Sequence, residues 1–128
     1  MQYHPGGLVV KPLSAQFKKD CDTFGKMDPY VKVTVGSNTL QSKPAKDQGK
    51  TPSWQDILNF RVAGEQSVFV SCFDHDSMSA HEFLGECTIQ LQDIFIRRNM
   101  AQWYELKKNG ETTGQIMISF EFYPDGGK

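Results

Sequence analysis

The sequence has little cysteine, no strong charge of either sign and no long apolar run. The three cysteines, Cys21, Cys72 and Cys87, are an odd number without metal-type spacing. They are read as reduced thiols of an intracellular protein, with Cys72 and Cys87 as small buried apolar residues. A formal net charge of −1 gives no global signal for nucleic acid, though a neutral total can hide a local patch. No apolar stretch approaches the ~20 residues that a membrane span needs. The start, "MQYHPGG", lacks the charged and then apolar pattern of a secretory signal, so a cytoplasmic location is expected. There is no internal repeat and no low-complexity tract.

What is present suits one folded domain. A chain of 128 residues is long enough to bury a real core. With 12% aromatic and 23% charged residues, global disorder is not expected. The chain reads as short strands between turns. "GLVVKPLSAQF" alternates poorly, and Pro12 predicts a bulge or an edge. "YVKVTV" alternates well, with Val31, Val33 and Val35 on one face and Lys32 and Thr34 on the other. "GSN" is a turn, and "TLQSK" reads as the return strand of a hairpin that carries Lys43. "PAKDQGKTPS" is a polar connection rich in breakers. "WQDILNFRV", "SVFVSCF" and "FLGECTIQL" are further strands. "QDIFIRRNMAQWYEL" is expected to hold a helical turn and then a short strand at "WYEL". "GQIMISFEFY" closes the fold, and the tail "PDGGK" should be loose. Eight short strands separated by turns predict an all-β, eight-stranded antiparallel sandwich. Strand pattern alone does not separate this from an immunoglobulin-like domain. The loops do.

Two loops carry acids. "KKDCDTFGKMDPY" places Asp22 and Asp28 on either side of Gly25, which permits a sharp turn. "FDHDSMSAHEFLG" holds Asp74, Asp76 and Glu82. Residues two apart at a strand end point the same way if the extended geometry continues, so Asp74 and Asp76 can converge. Five carboxylates from two loops would repel one another, and hard oxygen donors in that number suit Ca²⁺. Mg²⁺ fits less well because it keeps its waters, and Zn²⁺ lacks a convergent His or Cys pair. The contiguous acidic loop of an EF-hand is absent. Each acid taken singly also suits a turn or a solvated surface; the joint pattern is what points to a cation.

At these residues the chain resembles the C2 domain family. "DTFGKMDPYVKVTV" is similar to the family's Asp, glycine-containing loop and Ser-Asp-Pro-Tyr-Val-Lys-Val. "TPSWQDILNF" resembles its Asn-Pro-x-Trp-Asn-Glu-x-Phe-x-Phe segment through Pro52, Trp54, Leu58 and Phe60. "VSCFDHDSMSAHEFLGECTIQL" resembles its Val-x-Val-x-Asp-x-Asp loop followed by Asp-x-x-Gly. The resemblance spans residues 7–123, with 1–6 and 124–128 as tails. It implies a sandwich whose loops at one end bind Ca²⁺ and then dock on anionic phospholipid. It also implies that Asp22, Asp28, Asp74, Asp76 and Glu82 match the liganding positions, with backbone carbonyls near Cys21 and His75 completing the shell. The chain's start and its extra last strand look like the permuted, type II topology, with the terminal strand at an edge. Two positions depart from the family pattern. Glu82 stands where Asp is usual, and Met27 where a small polar residue is usual.

Lipid contacts follow from the same comparison. Phe24 and Met78 are candidates for insertion at the loop tips, whereas Met27 should pack under its own loop. Lys18, Lys19 and Lys26 flank the first loop near anionic headgroups. Lys32 and Lys43 match lysines that form a concave phosphoinositide patch in some members, with Thr34 where a further lysine would stand. Trp54 and Trp103 are expected to pack in the core or at an edge. His75 and His81 are read as exposed loop residues rather than ligands.

No catalytic set is visible. Ser71, Ser77 and Ser79 lie near His75 and His81 without a surrounding hydrolase signature, and carboxylates beside Cys21 would raise its pKa. The expected function is that of a non-enzymatic, Ca²⁺-dependent phospholipid-binding module, reversibly membrane-associated. The alternative is a Ca²⁺-independent protein-interaction domain on the same fold; a metal-dependent phosphoesterase is a third reading. A single domain makes one weak membrane contact, so a protein partner or a weak homodimer would add avidity.

Overall fold

The computed structural model describes residues 5–19 and 26–127. The elements, in chain order, are β1 (Gly6–Phe17), β2 (Pro29–Val35), β3 (Asn38–Gln41), β4 (Leu58–Val62), β5 (Ser67–Asp74), β6 (Glu82–Gln90), α1 (Gln92–Arg97), β7 (Asn99–Lys108) and β8 (Glu111–Pro124). A 3₁₀ turn, Asp125–Gly127, follows. Hydrogen bonding runs in the order β3-β2-β5-β6-β7-β8-β1-β4, and every pairing is antiparallel. β6 and β7 share a single register pair, Glu86 with Lys107. The fold is therefore two four-stranded leaves, β3-β2-β5-β6 and β7-β8-β1-β4, hinged at that contact.

Alternation builds the core between the leaves. Val31, Val33 and Val35 of β2 are fully buried, as are Val68, Val70 and Cys72 of β5. Leu8, Val10, Ile116, Ile118 and Phe120 answer them from β1 and β8. The register of β1 against β8 shifts between Pro12 and Ser14. Proline cannot donate to the ladder, so an extra residue is absorbed there as a bulge. Trp54 sits in the core, and its indole N–H donates to Pro29 O at 3.0 Å. This bond ties the connection before β4 to the start of β2. Trp103 is partly exposed on β7.

Three expectations need correction. β7 is ten residues long, not a short strand at "WYEL". Asn109 and Gly110 take φ of 52° and 82°, the left-handed pair of a tight hairpin turn. That turn keeps β7 paired with β8 from Lys108 back to Asn99. The terminal strand β8 lies between β7 and β1, not at an edge. It is long enough to serve both neighbours, while β3 and β4 end the order. The described part of the tail, 124–127, is not loose. Asp125 N–H donates to Pro5 O at 2.9 Å, and the Asp125 carboxylate takes both terminal nitrogens of Arg61. The guanidinium holds that carboxyl below the usual range.

Both described cysteines are inert by environment. Burial pushes the Cys72 thiol far up, and burial with Glu86 alongside pushes Cys87 up to about 11. The thiolate is the reactive form. In a chain carrying Cys21→Ser, Ellman's reagent at mildly alkaline pH is expected to detect no thiol until denaturant is added, and then two. Fast reaction of the native chain would show the sandwich opening locally.

Candidate functional site

The described acidic residues of the two loops sit at one end of the sandwich, where β5 leaves the sheet and β2 enters it. Asp74 is the last residue of β5 and pairs in register with Pro29 of β2 and with Glu82 of β6. Its side chain is 4% exposed. Such a carboxylate needs partners, and it has one across the loops: Asp28 N–H donates to Asp74 Oδ1 at 2.8 Å. Asp28 is tied twice more. Its Oδ1 accepts from Asp47 N–H at 2.7 Å, and its carbonyl accepts from His75 N–H at 3.1 Å. Asp47, with φ of 59°, is invisible as a partner in the sequence because it lies in the long 42–57 connection.

Asp76 behaves differently. β5 ends at Asp74, so Asp76 lies in the loop beyond the strand. Asp76 Oδ1 accepts from Met78 N–H and Oδ2 from the Ser79 hydroxyl, both at 2.8 Å. The Met78 N–H and then the Ser79 hydroxyl hold this carboxyl below its ordinary pKa. Glu82 is exposed at the start of β6, with Oε2 4.0 Å from Lys108 Nζ. Among the described residues, no group of three or more His, Cys, Asp or Glu stands close enough to hold a metal. Asp22, Cys21 and Phe24 lie outside the described residues. The acids and backbone carbonyls supply oxygen donors, which fit a hard cation. Asp28 and Asp74 meet, while Asp76 and Glu82 are turned to other partners.

Of the expected lipid contacts, Met78 is 91% exposed at the tip of the 75–81 loop, and Lys26 is exposed beside the first loop. Met27 is fully buried, as expected of a residue packed under its loop. Lys32 lies on β2 with Nζ 5.0 Å above the Phe73 ring, a cation–π contact. Lys43 is not on β3, which ends at Gln41. Ser42 turns inward instead, and its hydroxyl accepts from Val31 N–H at 3.0 Å. The chain still runs beside β2, since Ala45 N–H donates to Pro29 O. Lys43 is exposed there, its own N–H donating to Asp56 Oδ2 at 3.1 Å. The hydroxyls of Thr34 and Thr39 bond to each other at 2.8 Å.

A feature with no signal in the sequence lies on the outer face beside these loops. Tyr30 stacks on Phe73 at 5.8 Å, and Phe73 meets Phe83 at 5.6 Å. His75 and His81 close the group. Its members come from β2, β5, β6 and the loop between β5 and β6, so only the pairing of the strands brings them together.

An eight-stranded antiparallel β-sandwich with an acidic loop end defines the class. A family model described as the C2 domain matches residues 6–106. The chain belongs to the C2 domain family, whose members commonly bind phospholipid membranes. It is 41% identical over 76 residues to elicitor-responsive protein 1 of Oryza sativa subsp. japonica, covering 56% of this chain and 48% of that protein. It is 31% identical over 121 residues to 16 kDa phloem protein 2 of Arabidopsis thaliana, covering 93% of this chain and 82% of that one. A solved C2 domain-containing protein from an elicitor-responsive gene superposes with a TM-score of 0.85 at 30% identity, covering 100% of this chain and 96% of that one. The calcium-bound tandem C2 domains of extended synaptotagmin 2 give 0.79 at 26%, covering 93% and 46%. No helix among the described residues is long and apolar enough to cross a membrane.

Proposed function

We propose that this chain is a Ca²⁺-dependent phospholipid-binding module, acting as a cytoplasmic protein that associates reversibly with anionic membranes. The unit is residues 7–123. The observation that carries this reading is the junction of Asp28 and Asp74, which joins the two acidic loops through one hydrogen bond at the sandwich end. Residues Asp22, Asp28, Asp74, Asp76 and Glu82 would hold the ion, with the carbonyls of Cys21 and His75. Bound Ca²⁺ supplies positive charge that cancels the repulsion of the carboxylates and attracts lipid phosphate. Met78 and Phe24 then face the headgroups, with Lys26 beside them. Lys32 and Lys43 form a second, basic contact along β2. The calcium-bound state of a solved relative supports the ion. The connectivity, with the first acidic loop between β1 and β2 and β8 beside β1, is read as the permuted arrangement. No catalytic role, nucleic-acid partner or turnover is assigned to the chain.

Asp76 is held by Met78 and Ser79, and Glu82 lies beside Lys108, so a shared ion would compete with these partners. Ca²⁺ titrated into chelator-stripped protein is therefore expected to bind more tightly when anionic vesicles are present, because lipid phosphate completes the coordination. The engagement of those two acids also favours the second reading, an interaction domain that needs no Ca²⁺. Absence of heat up to millimolar Ca²⁺, with and without vesicles, would decide for that reading.

A further inference from the structure

His75 follows the last residue of β5 and His81 precedes the first residue of β6. Their rings meet across the base of the intervening loop, with centres 4.6 Å apart and planes tilted by 52°. Both rings are braced. Tyr30, itself buried, stands edge-on to each, at 6.2 Å from His75 and 5.3 Å from His81. The Tyr30 hydroxyl and His81 Nδ1 share a hydrogen bond of 2.5 Å. The His75 backbone is held by its N–H to the Asp28 carbonyl.

We propose that His75 and His81 together form a chelating site for a late first-row divalent cation, Cu²⁺ or Zn²⁺, separate in chemistry from the carboxylates that suit Ca²⁺. Imidazole nitrogen selects such ions over Ca²⁺ and Mg²⁺. The spacing fits. A metal about 2.0–2.1 Å from one nitrogen of each ring lies roughly 3.2 Å from each ring centre, and an angle of about 90–110° at the metal then sets the centres ~4.5–5.2 Å apart. The observed 4.6 Å falls in that interval. Tyr30 occupies His81 Nδ1, which leaves Nε2 as the donor to the metal. With the metal on Nε2, Nδ1 carries its proton and donates it to the Tyr30 oxygen. A ring N–H held this way fixes the tautomer and the direction of the ligand. Among the described residues no third His, Cys, Asp or Glu completes a closed set, so water takes the remaining positions and Cu²⁺ binds ahead of Zn²⁺. The ion would link the end of β5 to the start of β6 and clip the loop that carries Met78.

The test is a titration of Cu²⁺ alone into the chelator-stripped full chain carrying His4→Ala. The sequence holds three histidines, so any imidazole signal then comes from His75 and His81. One equivalent is expected, with electron paramagnetic resonance hyperfine structure from two imidazole nitrogens. Adding His75→Ala or His81→Ala should weaken binding by at least about tenfold, the lower bound for loss of even an outer-shell partner. A one-nitrogen or oxygen-only signal would overturn the proposal, and so would unchanged affinity in folded variants. The nitrogen count is taken on the parent chain, so it stands even if a variant fails to fold.

Discussion

A chain carrying Asp74→Asn and Asp76→Asn is expected to sediment with anionic vesicles no better in Ca²⁺ than in chelator. Both substitutions keep a side-chain oxygen where the structure uses one. The new amide at position 74 retains a carbonyl to accept the Asp28 N–H, and the one at position 76 retains a carbonyl to accept the Met78 N–H. The Ser79 hydroxyl, which donates to Asp76 in the parent chain, can turn and accept from the amide that replaces it. These three bonds therefore survive, and the melting temperature should stay near that of the parent. What is lost is two formal charges and their bidentate oxygens. An amide carbonyl is a weaker ligand for a hard cation than a carboxylate, and the remaining acids would have to hold the ion alone. Ca²⁺ should also cease to raise the melting temperature, since that gain is mass action on the folded state only. Unchanged Ca²⁺-dependent sedimentation by this folded variant would sink the proposed mechanism.

The fold is readable where one physical signal acts locally. The alternation of Val31, Val33 and Val35 locates β2 and its buried face. Pro12 locates the bulge in β1 because a missing N–H acts at its own position. Met27 is placed under its loop by its position directly ahead of a strand. Local patterns fail where the deciding partner is distant. β7 is undervalued unless Asn109-Gly110 is weighed as a hairpin turn, and only the turn shows that Met100 and Trp103 belong to one strand running through "WYEL". Lys43 falls on β3 if "TLQSK" is read as strand throughout, yet Ser42 satisfies Val31 with its hydroxyl and ends the ladder there. The interior place of β8 depends on pairing with β1, more than a hundred residues earlier in several of its contacts, such as Gly6 with Pro124.

The acidic loops show the same division. The identity of the acids, and the question of what relieves their repulsion, come from spacing and family resemblance. Nothing in the sequence signals that backbone N–H groups already answer part of that repulsion. Asp28 accepts from Asp47, Asp74 from Asp28 and Asp76 from Met78, so these carboxylates are charged but hydrogen-bonded. The Tyr30–His81 contact is equally hidden. His81 is next to Glu82 in the chain, but its orientation is set by Tyr30, fifty-one positions away.

Phe120→Ala is expected to have the largest effect on stability. Phe120 heads the fully buried side chains by volume among the described residues, with no exposed surface. It lies on β8, in register with Val10 of β1 on one side and Met100 of β7 on the other, and the ring of Tyr104 meets it edge-on at 6.2 Å. Truncation removes the transfer energy of the ring and leaves a cavity that its neighbours cannot fill, because both flanking strands are fixed by their ladders. Phe→Ala at such a site costs about 3–5 kcal/mol, a large share of the ~5–15 kcal/mol that holds a domain together. The melting temperature should fall by roughly 10–20 °C for a domain of this size. Phe120→Leu keeps most of the volume and should recover most of the loss, which separates a cavity effect from disturbance of the β8 backbone. Since β8 joins β1 to β7, the whole sandwich should unfold in one step in Phe120→Ala. Denaturation followed by Trp54, in the core, and by Trp103, partly exposed on β7, should give coincident transitions. Separate midpoints for the two tryptophans would show that the core around Trp54 and the β7 face that carries Trp103 lose structure in separate steps, against a single cooperative transition.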